Sequence, residues 1–135
     1  ELEERAFYEE RATPEWIEAL APLGTDFEKE HLTLAPWLIV VFRRDQEPLP
    51  DGTTTKTYYG QESVGIAVGF LITALHQAGL AALTHTPAPM VFLRDVCGRP
   101  KSERPFMILP VGYPAEDCVV PDLQRKPLEE IAEFR

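Results

Sequence analysis

Thr84, His85 and Thr86 stand in a row directly behind a short apolar stretch, Leu80 to Leu83. A strand that ends in two hydroxyls and an imidazole can present hydrogen bonds to a ligand. On the residues alone, a capping loop is the plainer reading, because threonine often serves turns. Glu4 and Tyr8 are four residues apart and share one face of a predicted amphipathic helix. Lys29 falls in a predicted short helix, residues 26–32. Arg125-Lys126 is a basic pair that plain surface charge explains. His31, His76 and His85 make no H-x-x-x-H, and no carboxylate stands at metal-ligand spacing, which argues against a metal site.

The stretch from Glu62 to Pro87 must position the threonine loop. Val64 to Leu75 is apolar apart from Gly65, Gly69 and Thr73, and a helix apolar all round belongs inside a protein. Those three residues recur every fourth position and form a smooth stripe that suits a close helix neighbour, within the subunit or across a dimer interface. Gly79 supplies the left-handed helix end. Leu80 to Leu83 then reads as a strand ending at Thr84-His85-Thr86-Pro87.

Upstream, Thr13-Pro14 restarts a helix, with Thr13 as cap and Pro14 at the first position. The first 33 residues read as charged helical pieces joined by breakers, either solvated surface helices or a flap able to close over a site. Pro36 to Phe42 reads as a buried strand, and residues 43–57 as a polar loop with an Asp51-Gly52 turn. Tyr58 and Tyr59 lead into the long helix. Residues 88–96 read as a short helix, and Pro105 to Gly112 as a last core strand whose Pro110 points to a strand end or an edge. The tail after Val119 closes with a short helix.

The chain is 135 residues long, 44% hydrophobic and formally −9 in charge, enough for one core and wrong in sign for nucleic acid or an anionic membrane. Cys97 and Cys118 form no C-x-x-C, so free thiols in a reducing, cytoplasmic setting are expected. The sequence begins with Glu1 inside a predicted helix, so residues upstream are expected to be missing.

The string S-x-x-I-A-x-G-x-L-x-x-A-L-x-x-A-G-L with T-x-T-P behind it resembles the nitroreductase-type flavoproteins and, among them, the iodotyrosine deiodinases. The likeness continues in order through Ala35-Pro36, Tyr58-Tyr59, Gly98-Arg99-Pro100, Leu109-Pro110-Val111-Gly112-Tyr113-Pro114 and the segment from Val120 to Leu128. It implies an α+β fold: a mixed sheet flanked by helices, a long buried central helix and a homodimer built around it. The chain would hold the C-terminal two thirds of such a domain, with an active-site lid at 1–33, a core at 34–118 and a dimer-wrapping tail at 119–135. The upstream R-R-S-x-R and P-S-G segments of the family do not occur here.

The resemblance also implies FMN at the dimer interface and reductive dehalogenation of a halotyrosine, with an external electron donor. Glu4, Tyr8 and Lys29 match the lid residues that grip the amino acid's ammonium and carboxylate. Thr84, His85 and Thr86 match the flavin-contacting loop, with the Thr86 hydroxyl donating to flavin N5 and favouring single-electron steps. Arg125 matches an arginine that reaches the flavin phosphate region. A general FMN nitroreductase, a phenol-directed flavin reductase and a dimerising module without flavin are the rival readings.

Overall fold

β-branched and aromatic residues favour a pleated strand, and Leu38 to Phe42 forms the middle of β1, Trp37–Arg44. The computed structural model describes residues 2–135, so Glu1, where the expected lid begins, lies outside the described residues. Ahead of β1 come α1 (Leu2–Ala6), a π-helical turn (Phe7–Arg11), α2 (Pro14–Leu20), a 3-10 turn (Ala21–Leu23) and α3 (His31–Leu34). Behind it come β2 (Gln46–Pro48), β3 (Thr54–Lys56), α4 (Gly60–Gln77) and β4 (Ala81–Ala82). Then follow α5 (Phe92–Val96), β5 (Glu103–Gly112) and α6 (Leu128–Ile131). Residues 43–57, read as a loop, carry the β2–β3 hairpin, with Asp51 Oδ1 accepting from the Thr53 N–H at 2.9 Å across its turn.

β5 lies between β1 and β4 and is antiparallel to both. The resemblance implies a mixed sheet, whereas β1 and β4 here run the same way only because β5 returns between them. Pro110 is also no edge marker, since it sits opposite Leu38 in the middle strand. Its lost N–H is visible on the other side. Leu83 N–H donates to the Pro110 oxygen at 3.3 Å, but Pro110 has no N–H to return. Pairing with β5 therefore stops at Ala82 and resumes as an isolated bridge between His85 and Ile108. This is why β4 is shorter than the predicted 80–83 strand. The predicted helix over 88–96 is shorter in the structure: α5 begins only at Phe92, with Val91 at its N-cap, and residues 88–91 stay outside it.

The core is where α4 meets the sheet. Val68, Leu109 and Val111 are buried, with Ile39, Leu71 and Leu75 packed around them. β1 is half-buried rather than buried, because no described element covers its second face fully. α4 is likewise packed on one side: Val68 is its buried residue, while Ile66 and Phe70 are 64% and 73% exposed. A Cβ on Gly65 or Gly69 would meet nothing within 4 Å, so among the described residues no helix fills the predicted stripe. Gly79, at φ +76°, ends α4 as expected and turns the chain into β4. Gly112 is needed for space: a Cβ there would stand 2.8 Å from Pro36 Cδ. That contact ties the end of β5 to the point where the lid region enters the sheet.

Candidate functional site

Lys29 is the buried side chain among the described lid residues. Its local structure differs from the predicted helix over 26–32, since α3 starts only at His31. Asp26 Oδ1 accepts from the Glu28 N–H at 2.8 Å, an Asx-type turn that competes with helix. The Lys29 ammonium donates to Thr25 Oγ1 at 3.2 Å and to the Asp26 carbonyl, which folds the loop around it. It also donates to the Tyr8 hydroxyl at 3.4 Å, stands 5.0 Å from that ring's centre and lies 4.0 Å from Glu4 Oε2. Charges are buried only when paired and hydrogen-bonded, and here the three predicted lid residues supply part of that pairing to one another.

Aromatic contacts hold Tyr8 in place. Phe7, Tyr8 and Trp16 meet edge to face, with centroids 5.9 Å (Phe7–Tyr8), 5.0 Å (Phe7–Trp16) and 5.5 Å (Tyr8–Trp16) apart. Thr13 Oγ1 accepts from the Trp16 N–H at 3.2 Å, so the predicted cap of α2 also aims Trp16. Tyr8 sits in the π-helical turn Phe7–Arg11, a conformation that is rare and often found at functional sites.

Across from the lid stands the threonine loop. A cavity of about 390 Å³ is lined by Glu4, Tyr8 and Lys29 on one side and Thr84, His85 and Thr86 on the other, with Trp16 beside them. An adjoining, more apolar cavity of about 610 Å³ shares Glu4, Lys29 and His85 and is walled by Leu32, Phe92 and Ile108. Both fall in the size range of small-molecule sites. Six of the seven predicted site residues therefore meet at one place. Arg125 is the exception: it is exposed on the tail and does not line this cavity.

The sequence singled out neither Phe7 nor Trp16 as a site residue and marked His31 only as a histidine without metal partners. The His31 ring meets His85 edge-on, with centroids 5.5 Å apart, and its Nε2 is buried without a hydrogen-bond partner. Burial, then the Lys29 charge, push His31 below the ordinary histidine value, against an opposing pull from Glu4. His85 is lowered as well, by burial first, with Glu4 opposing and His31 and Lys29 adding to the shift. Burial favours the neutral imidazole in both. A signal was present in the sequence, since His31 lies two residues from Lys29, but only the fold carries it to His85.

The nitroreductase family profile matches residues 2–113. The chain belongs to the nitroreductase family. Iodotyrosine deiodinase of Haliscomenobacter hydrossis is 61% identical over 126 residues, 93% of this chain and 57% of that protein. Iodotyrosine deiodinase of Hydra vulgaris is 45% identical over 132 residues, 97% of this chain and 48% of that protein. The chain thus spans about half the length of these curated relatives. Among solved structures, oxidized iodotyrosine deiodinase bound to FMN and 3-iodo-L-tyrosine matches with a TM-score of 0.77 at 29% identity, over 99% of this chain and 64% of that one. The α+β nitroreductase fold expected from the sequence is the fold found.

Proposed function

We propose that this chain carries the substrate lid and part of the flavin site of an FMN-dependent halotyrosine dehalogenase of the iodotyrosine deiodinase type. One observation carries the reading. A carboxylate, a phenol and a buried ammonium line the same cavity as the Thr-His-Thr loop. An amino-acid zwitterion needs such a set: Glu4 for its ammonium, Lys29 and Tyr8 for its carboxylate. Charge-assisted hydrogen bonds of this kind are the stronger ones, and the partly buried lid leaves them less screened by water. The 4.0 Å Glu4–Lys29 contact is long, so Glu4 is poised to take a new cationic partner without first breaking a tight bond to Lys29.

The residues present fit the edge of a flavin. Thr84, His85 and Thr86 offer two hydroxyls and a ring nitrogen at the cavity wall. In this reading the Thr86 hydroxyl donates to the flavin N5 edge and is the catalytic residue of the chain. Arg125 pairs with the phosphate; its place on an exposed tail suits a site shared between two copies. When bound, FMN supplies the electrons that cleave the carbon–halogen bond, and an external donor replaces them. The exposed Ile66 and Phe70 beside the open Gly65–Gly69 stripe support a homodimer built on α4. Unpaired, exposed Cys97 and Cys118 suit a cytoplasmic, reducing setting. Among the described residues no helix is long and apolar enough to cross a membrane.

The test is a titration of the intact, FMN-loaded protein with iodotyrosine and with 2-iodophenol, read by flavin fluorescence. Binding of iodotyrosine alone, lost in Glu4→Gln and Lys29→Ala with FMN retained, is the expected result. Equal binding of the two compounds would replace the reading with a phenol-directed flavin reductase. A protein that stays colourless with FMN would leave a dimerising module.

A further inference from the structure

His31 is a half-buried lid residue that neither the zwitterion grip nor the flavin loop uses. It opens α3, two residues beyond Lys29, and the Leu32 N–H of that helix donates to the Lys29 oxygen at 2.9 Å, which ties the two together. Its ring reaches across the seam between lid and core and lies against His85 at 77° between planes. His85 is itself anchored. Its N–H donates to the Ile108 oxygen and its oxygen accepts from the Ile108 N–H, both at 2.9 Å. These are the bonds that resume the ladder beyond Pro110, so they hold the whole Thr-His-Thr loop to β5. The His85 side chain then has one neighbour from the lid in ring contact, and that neighbour is His31.

We propose that His31 is a positioning residue: its neutral ring braces His85 across the lid–core seam, so that closing the lid and orienting the threonine loop become one event. The proposal rests on the amino-acid reading of the cavity for its consequence in binding, but the brace itself is testable without ligand.

The chemistry favours a brace that works only uncharged. Lys29 and Glu4 are the charged groups that act on His31, and His85 is the titratable ring in contact with it. Glu4, His31 and Lys29 are those that act on His85. A proton added to His31 gives its buried Nε2 an N–H with no acceptor, beside an ammonium already in place. A proton on each ring sets like charges edge to face. Both imidazoles lie below the ordinary histidine value of 6.5. In the window just under that value the open lid binds more protons than the closed one, so closure weakens as pH falls. Glu4 resists this, since its carboxylate favours the protonated form of both rings.

The experiment uses the intact FMN-loaded protein, its His31→Phe variant, which keeps a ring of similar shape but cannot titrate, and His31→Ala. The ring resonances of His85 are followed by NMR from pH 4.5 to 8 without ligand, and iodotyrosine affinity is followed over the same range. Coupled rings titrate in two macroscopic steps. We expect a broadened His85 curve in the wild type and a single step at higher pH in His31→Phe. Iodotyrosine affinity should fall about fivefold or more between pH 7.5 and 5.5 in the wild type, and less than twofold in His31→Phe. His31→Ala should lose affinity at pH 7.5, where His31→Phe retains it. An unchanged His85 titration in His31→Phe overturns the proposal, as does a wild-type pH profile of affinity in that variant. If the His85 curve responds as expected but iodotyrosine binds at no pH, the brace stands and the amino-acid reading of the cavity falls.

Discussion

The lid and the core of this chain are held by different forces. In the core the cluster Val68, Leu109 and Val111 is apolar, with Glu103 the buried charge at the start of β5, and the backbone of β5 is laddered to β1 along its length. In the described lid the buried side chain is a cation, Lys29, and the rest is capped, stacked or half exposed. Arg5 over Phe27 at 4.2 Å, the three aromatic contacts and the Thr13 cap all stay within residues 2–33. Apolar burial stabilises whatever the pH and whatever is bound. A buried ammonium is stable only while its partners are present, so the order of the lid depends on what satisfies Lys29. Under the proposed function, this makes residues 2–33 the part of the chain whose conformation a zwitterion would control.

The sharpest way to break the comparison is to cut each region at its centre. Leu109 is fully buried, so Leu109→Ala should cost about 2–5 kcal/mol in urea unfolding of the intact protein. Ligand affinity of the molecules that remain folded should be unchanged; a matching loss of affinity would mean that the two regions are not separable. Lys29→Met should do the reverse. We expect roughly 10- to 100-fold weaker iodotyrosine binding by calorimetry, corresponding to about 1.5–3 kcal/mol for hydrogen bonds to a charged group, with the unfolding midpoint nearly unmoved. Thr13→Ala removes a cap worth about 1 kcal/mol. Hydrogen exchange should then quicken roughly fivefold in α2, following that cost, while β5 amides keep their protection.

The smallest effect concerns pH at the start of β5. Arg99 pairs with Glu103 through two bonds, 2.7 and 2.8 Å, and these hold the Glu103 carboxyl below the usual carboxylate range, against the effect of burial. A carboxyl lowered in the folded state adds stability above its unfolded value near 4.5, and that stability is lost as pH falls through the folded value. Arg99→Ala should therefore lower the urea midpoint slightly at pH 7 and by less at pH 3, since the folded carboxylate loses its charge as pH falls through its lowered value. An equal loss at both pH values would assign the Arg99 contribution to packing instead.

Much of this arrangement was legible in the order of residues. The Thr13-Pro14 restart, the Gly79 helix end, the Asp51-Gly52 turn and the strand at Pro105 to Gly112 are local signals, written in residues that touch along the chain. Lys29 was harder, because Asx-turn and helix compete over a few residues and the buried side chain decides between them. Pro110 misled for a related reason. A proline forbids one hydrogen bond, but which neighbour would have received it depends on strand order, and here the loss falls between β4 and the His85 bridge.

By itself, then, the sequence determined the helical and strand propensities, the caps and turns, the acidic charge and the supply of Glu4, Tyr8, Lys29 and the Thr-His-Thr loop. Each of these depends on residue type and near neighbours. Only the tertiary structure decided that Lys29 is buried, that Trp16 steadies Tyr8, that β5 is central, and that His31 meets His85. Those contacts join residues far apart in the chain, 54 positions for His31 and His85 and 74 for Trp37 and Val111 across β1 and β5. Such pairs are brought together by the packing of lid against sheet, which no local preference encodes.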